Sequence, residues 1–462
     1  MRLPTMTRFY CPQILLSDGW AENQLLEVDG LGSITSIRNG SMNEAQHQLQ
    51  GPVVPGMPNL HSHAFQRGMT GLSESRSGEK DSFWSWRKRM YHFLQVLSPE
   101  DVEAIASQLY LEMLKAGYTS VGEFHYLHHD VDGKHYANPA EMSERILAAS
   151  ETTGIGLTHL PVLYRFGGFG SREPSSQQGR FIHEADEFVR LLEKLFPSFE
   201  KHPNRSLGMA PHSLRAVSPD LLSKVLPEFQ RICPGAPLHL HISEQTAEVE
   251  ECLEWSGLRP VQWLFENLEP DSNWCLIHAT HLDFQERRTL AESEVTVGLC
   301  PTTEANLGDG IFPMQEFMEE GGGFGIGSDS HVSISPSEEL RWLEYQQRLL
   351  QRQRNLLCGE SGMSTGRYLY EQSLAGGSRA LGLGAGKFQA GSRADWLVLD
   401  PEHPLLAERS GDALLDSWIF SGNVPPVRDV FVGGKQLIFE GRHPEEKTIE
   451  VKYRQTLKKT LS

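Results

Sequence analysis

The sequence predicts a mixed α/β protein: a (β/α)8 barrel of the TIM type with a small β-sandwich domain formed from both chain ends. Three observations predict this fold. The chain has 462 residues, about the length of a barrel with a satellite domain. Its middle alternates between short apolar runs and helical patterns, as parallel sheets do. Both ends carry short apolar runs broken by Gly, Asn and Asp, which is typical of hairpins.

The β-rich ends define the expected small domain. The N-terminal part contains ILLSDG and NQLLEVDG, and the C-terminal part contains ADWLVLD (394–400) and VRDVFVGGKQLIFEG (427–441). In the second of these, Gly433-Gly434 predicts a hairpin turn. The expected division is residues 1–54 with 386–450 as a discontinuous β-sandwich, 55–385 as the barrel and 451–462 as a C-terminal tail.

Eight apolar runs in the middle are the candidate barrel strands, with helical patterns between most of them. The clearest helix is predicted over 99–116, because Ser98 can cap it, Asp101 completes a capping box and Gly117 ends it. The candidate strands are VVPGM (53–57), TSVGEF (119–124), IGLTHLPVL (155–163), SLGMA (206–210), PLHLHI (237–242), NWCLIH (273–278), VTVGL (295–299) and GFGIG (323–327), and the last two helices are expected within 337–357 and 365–381.

Composition and charge argue against several classes of function. A formal net charge of −18 argues against binding to nucleic acid or to an anionic membrane surface. The six cysteines are scattered and include no CxxC pair, which favours reduced thiols. The N-terminal segment has no signal-peptide pattern, and no stretch approaches the roughly 20 apolar residues of a membrane span. We therefore expect a cytoplasmic protein without nucleic-acid or membrane partners.

Polar residues collect where the predicted strands end, which is where barrels of this type carry their chemistry. His61 and His63 follow the first strand and point to the same side, because side chains repeat every two residues in an extended chain. Asp329 follows the eighth strand, and the fifth carries both His239 and His241, either of which could be a ligand. Three imidazoles and one carboxylate can hold a catalytic zinc with a position open for water. We favour this metal site over unrelated polar residues, because the candidates fall at separate strand ends of one barrel.

Residues beside these candidates could transfer protons. Glu244 lies three residues beyond His241, within reach of a metal-bound water. His278 ends the sixth strand and could hydrogen-bond that water or the polarised substrate atom. Asp329 could accept the first proton from the water. His331 is expected to fix Asp329 by a hydrogen bond.

Further residues, His212 among them, are candidates for binding substrate. Arg87 lies in SFWSWRKRM, which is either a basic, aromatic surface helix or a carboxylate clamp. Arg215 has the same two interpretations, since a planar guanidinium can bind both oxygens of a carboxylate. Gln66 could contact substrate or cap a helix, and Tyr126 could contact substrate or pack as a buried ring. The segment SESRSGEK (73–80) is either a mobile lid or a solvated turn.

Four segments resemble the signatures of the amidohydrolase superfamily: PGMPNLHSHAFQRGM (55–69), HLHISEQ (239–245), LIHATHLD (276–283) and GIGSDSH (325–331). GSRADWLVLD and VFVGGKQL resemble its terminal β domain, so the resemblance covers essentially the whole chain. SLGMAPHSLR lacks the lysine that binuclear members carry near the end of strand four and offers His212 instead, which implies one metal ion. That ion would be Zn²⁺, although iron and manganese accept the same ligands. The resemblance implies that His61, His63, His241 and Asp329 hold the metal, and that Glu244 and His278 are the acid–base and polarising groups.

Within the superfamily, NLHSHAFQR and HLHISEQTAEV are most similar to the deiminase branch that acts on N-formimidoyl-L-glutamate in histidine degradation. This implies hydrolysis of a linear C=N bond to N-formyl-L-glutamate and ammonia, and a homodimer. The substrate is dianionic, and Arg87 and Arg215 are the candidate partners of its carboxylates. One alternative is a ring deaminase of guanine or adenosine derivatives, which would need aromatic stacking and amide contacts more than two arginines. The other is a non-catalytic scaffold, which would be expected to have lost metal ligands.

Overall fold

The computed structural model describes residues 6–75, 82–359 and 362–462, and within them the chain is mixed α/β. Most of the predicted lid segment, residues 76–80, lies outside the described residues. Across the described ranges, none of the helices has the length and apolar character needed to cross a membrane. The strands are β1 (Thr7–Leu16), β2 (Gly19–Val28), β3 (Ile34–Asn39), β4 (His47–Gln48), β5 (Pro52–Pro55), β6 (Met57–Ser62), β7 (Tyr118–His125), β8 (Gly156–Leu163), β9 (Arg205–Leu207), β10 (Ala210–Pro211), β11 (Leu238–Ile242), β12 (Trp274–His278), β13 (Thr296–Leu299), β14 (Gly323–Ile326), β15 (Trp396–Leu399), β16 (Val427–Val432) and β17 (Lys435–Ile438). The α-helices are α1 (Phe83–Leu94), α2 (Pro99–Ala116), α3 (Glu141–Thr153), α4 (Ala185–Leu195), α5 (Pro219–Ile232), α6 (Thr246–Ser256), α7 (Pro260–Asn267), α8 (Phe284–Glu292), α9 (Pro301–Leu307), α10 (Met314–Glu319), α11 (Pro336–Gln351), α12 (Thr365–Leu381), α13 (Ala413–Phe420) and α14 (Glu446–Thr460).

An eight-stranded mixed sheet joins the two ends of the chain. Its order is β17-β16-β15-β5-β1-β2-β3, and β4 also pairs with β1. Val54 on β5 lies opposite Leu397 on β15, so N-terminal and C-terminal strands pair directly. The hairpin predicted at Gly433-Gly434 is confirmed, since β16 and β17 are antiparallel and both glycines have the positive φ that this turn requires.

Two parallel sheets occupy the middle of the chain. The first has the order β6-β7-β8-β10, with β9 also on β8, and the second has the order β11-β12-β13-β14. Parallel bridges between Ser213 and His241 and between Ser62 and Asp329 link the two sheets at both edges. The carboxyl ends of β6, β11 and β14 therefore lie close together, with the predicted site residues on them.

The predicted first barrel strand differs from the structure. VVPGM divides at Gly56, with β5 in the terminal sheet before it and β6 in the first parallel sheet after it. A Cβ at Gly56 would lie 2.2 Å from Cγ2 of Thr119, so only glycine fits this crossing. His61 consequently lies within β6, and SLGMA is likewise divided, between β9 and β10. The other six predicted strands are confirmed to within one residue.

The capped helix predicted over 99–116 is confirmed as α2. Ser98 Oγ accepts from the amide of Asp101, and Asp101 Oδ2 accepts from the amide of Ser98. Gly117 ends the helix with a φ of 110°. The other two predicted helices are α12, with the expected bounds, and α11, which ends at Gln351 because Arg352 takes a left-handed conformation.

The segment expected to be a C-terminal tail is instead the greater part of α14. Ile449 and Thr456 are buried and lie seven residues apart, so they share one helix face. Lys459 adds an ion pair to α2, with its Nζ 2.6 Å from Oδ2 of Asp101. The prediction of a tail was wrong because this segment has few apolar residues. The contacts that hold the helix are made with α2, which is distant in the sequence.

Candidate active site

The four predicted metal ligands converge at the ends of β6, β11 and β14. Nε2 of His61 and Nε2 of His63 lie 3.5 and 3.4 Å from Oδ1 of Asp329. Nε2 of His241 lies 3.1 Å from Nε2 of His61. Tetrahedral zinc with Zn–N and Zn–O bonds of about 2.0–2.1 Å needs ligand atoms about 3.3 Å apart. These residues therefore fit one divalent ion in both spacing and donor type.

The hydrogen bonds of the other ring nitrogen, Nδ1, explain why Nε2 of His63 and His241 faces the ligand cluster. Nδ1 of His63 lies 2.9 Å from the carbonyl oxygen of Phe124, and Nδ1 of His241 lies 3.0 Å from that of His212. A ligand histidine commonly gives its second nitrogen to such a carbonyl, which fixes the tautomer. Burial lowers the pKa of His61, His63 and His241, and in His61 and His241 neighbouring histidines lower it further. The imidazoles are therefore neutral, which is the form that binds metal.

Two further ligand-type side chains adjoin the four. Among the described residues, the compact groups of ligand atoms include His278 and Cys300 besides the predicted set. Burial raises the pKa of the Cys300 thiol well above its usual range. The thiol is thus held protonated, a poor metal ligand.

Glu123 supports the HSH segment and was missed by sequence analysis. Its carboxylate accepts from Ser62 Oγ at 2.6 Å, from the amide of Ala64 at 2.7 Å and from Tyr110 OH at 3.0 Å. Burial raises its pKa to about 7, against the effect of these donors. A carboxylate inside the apolar run TSVGEF was the available signal, because such a group needs a set of partners.

Glu244, His278 and Asp329 form an acid–base group beside the ligand cluster. Nε2 of His278 lies 3.9 Å from Oε1 of Glu244 and 3.8 Å from Oδ2 of Asp329, and all three side chains are buried. Burial raises the pKa of Glu244, which favours its holding a proton. Burial alone would lower the pKa of His278, but Glu244, the hydrogen bond to Glu304 and Asp329 together raise it to about 10. The group can therefore both accept and donate protons at the cluster.

The five predicted substrate-binding residues line one cavity, which opens over the cluster. Gln66 donates from Nε2 to Tyr126 OH at 3.2 Å, and its Oε1 has no partner in the described ranges. Gln66 lies in a short 3-10 helix and does not cap it, so the capping interpretation is excluded. The cavity is lined by Gln66, Arg87, Tyr126, His212 and Arg215 together with His63, His241, Glu244 and Asp329, and by aromatic residues and an arginine that sequence analysis missed: Trp84, Tyr91, Tyr164, Phe181 and Arg172.

The two predicted arginines share a tryptophan but differ in their ion pairs. The ring of Trp84 lies 4.4 Å from Cζ of Arg87 and 6.0 Å from Cζ of Arg215. Nη2 of Arg215 lies 3.6 Å from Glu248 and 3.9 Å from Glu244, so its charge is already partly balanced. Among the described residues, no carboxylate lies within ion-pairing distance of Arg87. Within the described ranges, Arg87 is therefore the less paired of the two cations.

Two histidines that the sequence left open contact other parts of the fold. Nε2 of His239 lies 2.8 Å from the carbonyl oxygen of Ala380 on α12, and the ligand groups contain His241 but not His239. His331 contacts Ser328 Oγ at 3.0 Å and Ser62 Oγ at 3.3 Å. The expected hydrogen bond from His331 to Asp329 is not found among the described residues; His331 instead supports the two serines that flank the ligands.

Comparisons with known proteins give the family of the chain and several of its relatives. The sequence profile of the Amidohydrolase family matches residues 53–437, and the chain belongs to that family. Formimidoylglutamate deiminase from Pseudomonas aeruginosa is 51% identical over 441 residues, 96% of each chain. The crystal structure of an amidohydrolase from Brucella melitensis has a TM-score of 0.92 and 46% identity, covering 99% of this chain and 100% of that one. A 5-methylthioadenosine/S-adenosylhomocysteine deaminase from Natronomonas pharaonis is 27% identical over 389 residues, 84% of this chain and 81% of its own.

Proposed function

We propose that this protein hydrolyses N-formimidoyl-L-glutamate to N-formyl-L-glutamate and ammonia, a step of histidine degradation. The observation that carries the proposal is the 51% identity to formimidoylglutamate deiminase over 96% of both chains. The acid–base group and the arginines of the cavity suit a hydrolytic deimination of an anionic substrate.

We propose that the two parallel sheets form one closed (β/α)8 barrel within residues 55–385. The parallel bridges at both edges support closure, because each sheet meets the other on two sides. Residues 1–54 and 386–450 would form the small β-sandwich domain, with the boundary at the Gly56 crossing. The pairing of β5 with β15 supports a domain built from both ends.

We propose one zinc ion per chain, held by His61, His63, His241 and Asp329. A bound zinc ion would supply a water of lowered pKa as the nucleophile. The protein's own residues then move the protons. Asp329 accepts the first proton, Glu244 delivers one to the departing nitrogen, and His278 Nε2 donates a hydrogen bond to the oxygen that adds to the substrate carbon.

The substrate's two carboxylates would bind to Arg87 and Arg215. Charge-assisted bonds to a planar guanidinium are stronger than neutral ones and fix the orientation of the substrate. Gln66, Tyr126 and His212 would complete the binding wall, with the free Oε1 of Gln66 as an acceptor for a substrate N–H. In this arrangement the formimidoyl end would lie at the ligand cluster.

A ring deaminase is the second candidate, and one observation favours it. The cavity lining includes seven aromatic side chains that could stack on a purine: Phe83, Trp84, Trp86, Tyr91, Tyr126, Tyr164 and Phe181. The deaminase from N. pharaonis is, however, only 27% identical to this chain. A neutral ring also gains little from the arginines, so we rank this function second.

Metal analysis tests the proposed centre. Purified protein should hold about one divalent ion per chain, since three histidines and one aspartate complete one site. Removal of the ion by a chelator should abolish ammonia release from N-formimidoyl-L-glutamate, and zinc should restore it. His61→Ala and Asp329→Ala should each lose the ion. Two tightly held ions per chain would contradict the mononuclear site.

A homodimer in the cytoplasm remains a prediction. All six cysteines are free thiols, which supports a reducing compartment. Light scattering coupled to gel filtration would measure the mass in solution, and a mass of one chain would overturn the dimer.

A further inference from the structure

A buried carboxylate lies behind His278, on the side away from the cavity. Glu304, in the first turn of α9, is 2% exposed and is not among the residues that line the cavity. Its Oε1 lies 3.2 Å from Nδ1 of His278 and 2.9 Å from the amide nitrogen of Cys300. Because Oε1 already accepts the amide hydrogen of Cys300, it is an acceptor here, so the imidazole nitrogen that contacts it is the donor.

We propose that Glu304 is a positioning residue for the reaction: it accepts the Nδ1–H of His278 and so holds Nε2 toward the reacting atoms. The inference rests on the proposed function and adds a residue to it. Nε2 of His278 lies between Glu244 and Asp329, at 3.9 and 3.8 Å, both too long for hydrogen bonds. Glu304 is therefore the hydrogen-bond partner that fixes the ring while the cavity side is left for substrate.

The backbone gives an independent reason why this ring needs a partner. His278 has a φ of 71°, in the left-handed region that residues other than glycine seldom adopt. This conformation ends β12. The ring of His278 stacks on that of His241, with centroids 5.5 Å apart, but stacking alone does not restrain which ring nitrogen faces the cavity. The Glu304 contact supplies that restraint from the next strand–helix connection.

A purely structural role for Glu304 is the alternative, because its carboxylate also accepts from the Cys300 amide at the start of α9. Two substitutions separate the roles. Glu304→Gln keeps an oxygen, and the Cys300 N–H holds that oxygen where Oε1 now lies, so Nδ1–H keeps its acceptor. Glu304→Met has a similar size and offers no comparable acceptor.

Steady-state kinetics on the metal-loaded enzyme gives the first readout. We expect Glu304→Met to lower kcat by roughly 10- to 100-fold with little change in KM, as losses of such orienting partners do. Glu304→Gln should restore most of the wild-type kcat. In a His278→Gln background, Glu304→Met should cause no further loss, because the two residues act as one unit.

Glu339 provides a matched control. Its buried carboxylate also supports α9, accepting from the amide and hydroxyl of Thr302, and it makes no hydrogen bond to His278 in the described part of the chain. Glu339→Met should lower the melting temperature as Glu304→Met does, but should leave kcat near the wild-type value. Equal loss of kcat in both variants would overturn the positioning role.

The ring itself gives a readout that needs no substrate. In ¹⁵N-histidine-labelled holoenzyme, the His278 signals, assigned by their absence in His278→Gln, should show a protonated Nδ1 that changes in Glu304→Met and persists in Glu304→Gln. The proposal would be overturned if the His278 signals were unchanged in Glu304→Met. It would also be overturned if kcat and the signals changed as much in Glu304→Gln as in Glu304→Met. If the wild type releases no ammonia from N-formimidoyl-L-glutamate, the proposed function fails, while the ¹⁵N result still decides the role of Glu304.

Discussion

At the scale of single residues, the ring nitrogen that a histidine gives to its neighbours decides what the other nitrogen can do. His63 and His241 give Nδ1 to backbone carbonyls and His278 gives Nδ1 to Glu304, so each presents Nε2 to the site. His239 gives Nε2 to the carbonyl of Ala380 instead. The sequence HLH could not separate His239 from His241 by spacing, because the hydrogen-bond partners come from distant segments.

Glu244→Gln tests proton delivery. The amide has the same shape as the carboxyl group but cannot transfer a proton, so kcat should fall by about 100-fold or more. Metal content should stay at the wild-type level, since Glu244 is not among the proposed ligands. Elemental analysis and ammonia release on one preparation check both points. A near-normal kcat would remove Glu244 from the mechanism.

Substitution of His159 tests how the burial of a neutral histidine affects the stability of the protein at low pH. It is fully buried on β8, and burial lowers its pKa to about 3, against an ordinary value of 6.5. Below about pH 6.5 the unfolded chain takes up a proton that the folded chain refuses until about pH 3. As the pH falls from about 6.5 to about 3, this difference in proton binding therefore lowers the free energy of unfolding.

The measurement for His159 is the melting temperature at about pH 7.5 and about pH 5, on either side of the ordinary histidine pKa. His159→Leu should melt with a smaller difference between the two conditions than the wild type does. Substitution of the exposed His92 is the control and should keep the wild-type difference. A variant of His159 as acid-sensitive as the wild type would show that its charging does not contribute.

At the scale of elements, the sequence predicted the positions of strands and capped helices better than it predicted which elements pack together. Six strands, the capping box of α2 and the Gly433-Gly434 hairpin follow from local patterns, and local patterns decide such elements. The division of VVPGM at Gly56 and the packing of α14 depend on contacts with other elements, which no local pattern reports. Glu304 was missed for the same reason, since its partner is 26 residues away.

Helix α1 forms one wall of the cavity, and Arg87 is the cleaner test of substrate binding. Loss of one bond to a charged group should cost about 1.5–3 kcal/mol, so Arg87→Met should lower kcat/KM for N-formimidoyl-L-glutamate by about 10- to 100-fold. A substrate lacking one carboxylate should be a similarly poorer substrate for the wild type. In Arg87→Met, removal of the carboxylate that binds Arg87 should lower kcat/KM further by less than it does in the wild type. If removal of either carboxylate lowered kcat/KM in Arg87→Met as much as in the wild type, a contact to Arg87 would be contradicted.

Arg215→Met should also lower kcat/KM for N-formimidoyl-L-glutamate, but it should change the stability of the protein as well. Arg215 lies between Glu248 and Glu244, and its removal leaves a buried carboxylate without its cation. Breaking a buried pair in this way costs about 3–5 kcal/mol of stability. A fall in melting temperature should therefore accompany the fall in kcat/KM, which Arg87→Met should not show.

At the scale of the whole molecule, the net charge of the chain does not describe the cavity, whose lining has three arginines and three carboxylates (Glu244, Glu251 and Asp329). The chain carries a net charge of −18, yet Arg87, Arg172 and Arg215 line one cavity. Charges more than about 10 Å away are largely screened at physiological salt, so the local arginines decide which ligand binds. Composition alone argues against nucleic acid as a partner, but it could not reveal a site for a diacid.

The substrate is the central question, because a deaminase named for other compounds also matches 84% of this chain. The most direct test is kcat/KM for N-formimidoyl-L-glutamate and for guanine, measured as ammonia release on one metal-loaded wild-type preparation. The account predicts efficient turnover of the diacid and little or none of guanine, since only the diacid gains charge-assisted bonds from the arginines. Efficient turnover of guanine with none of the diacid would contradict the proposed function and leave only the metal-dependent amidohydrolase fold.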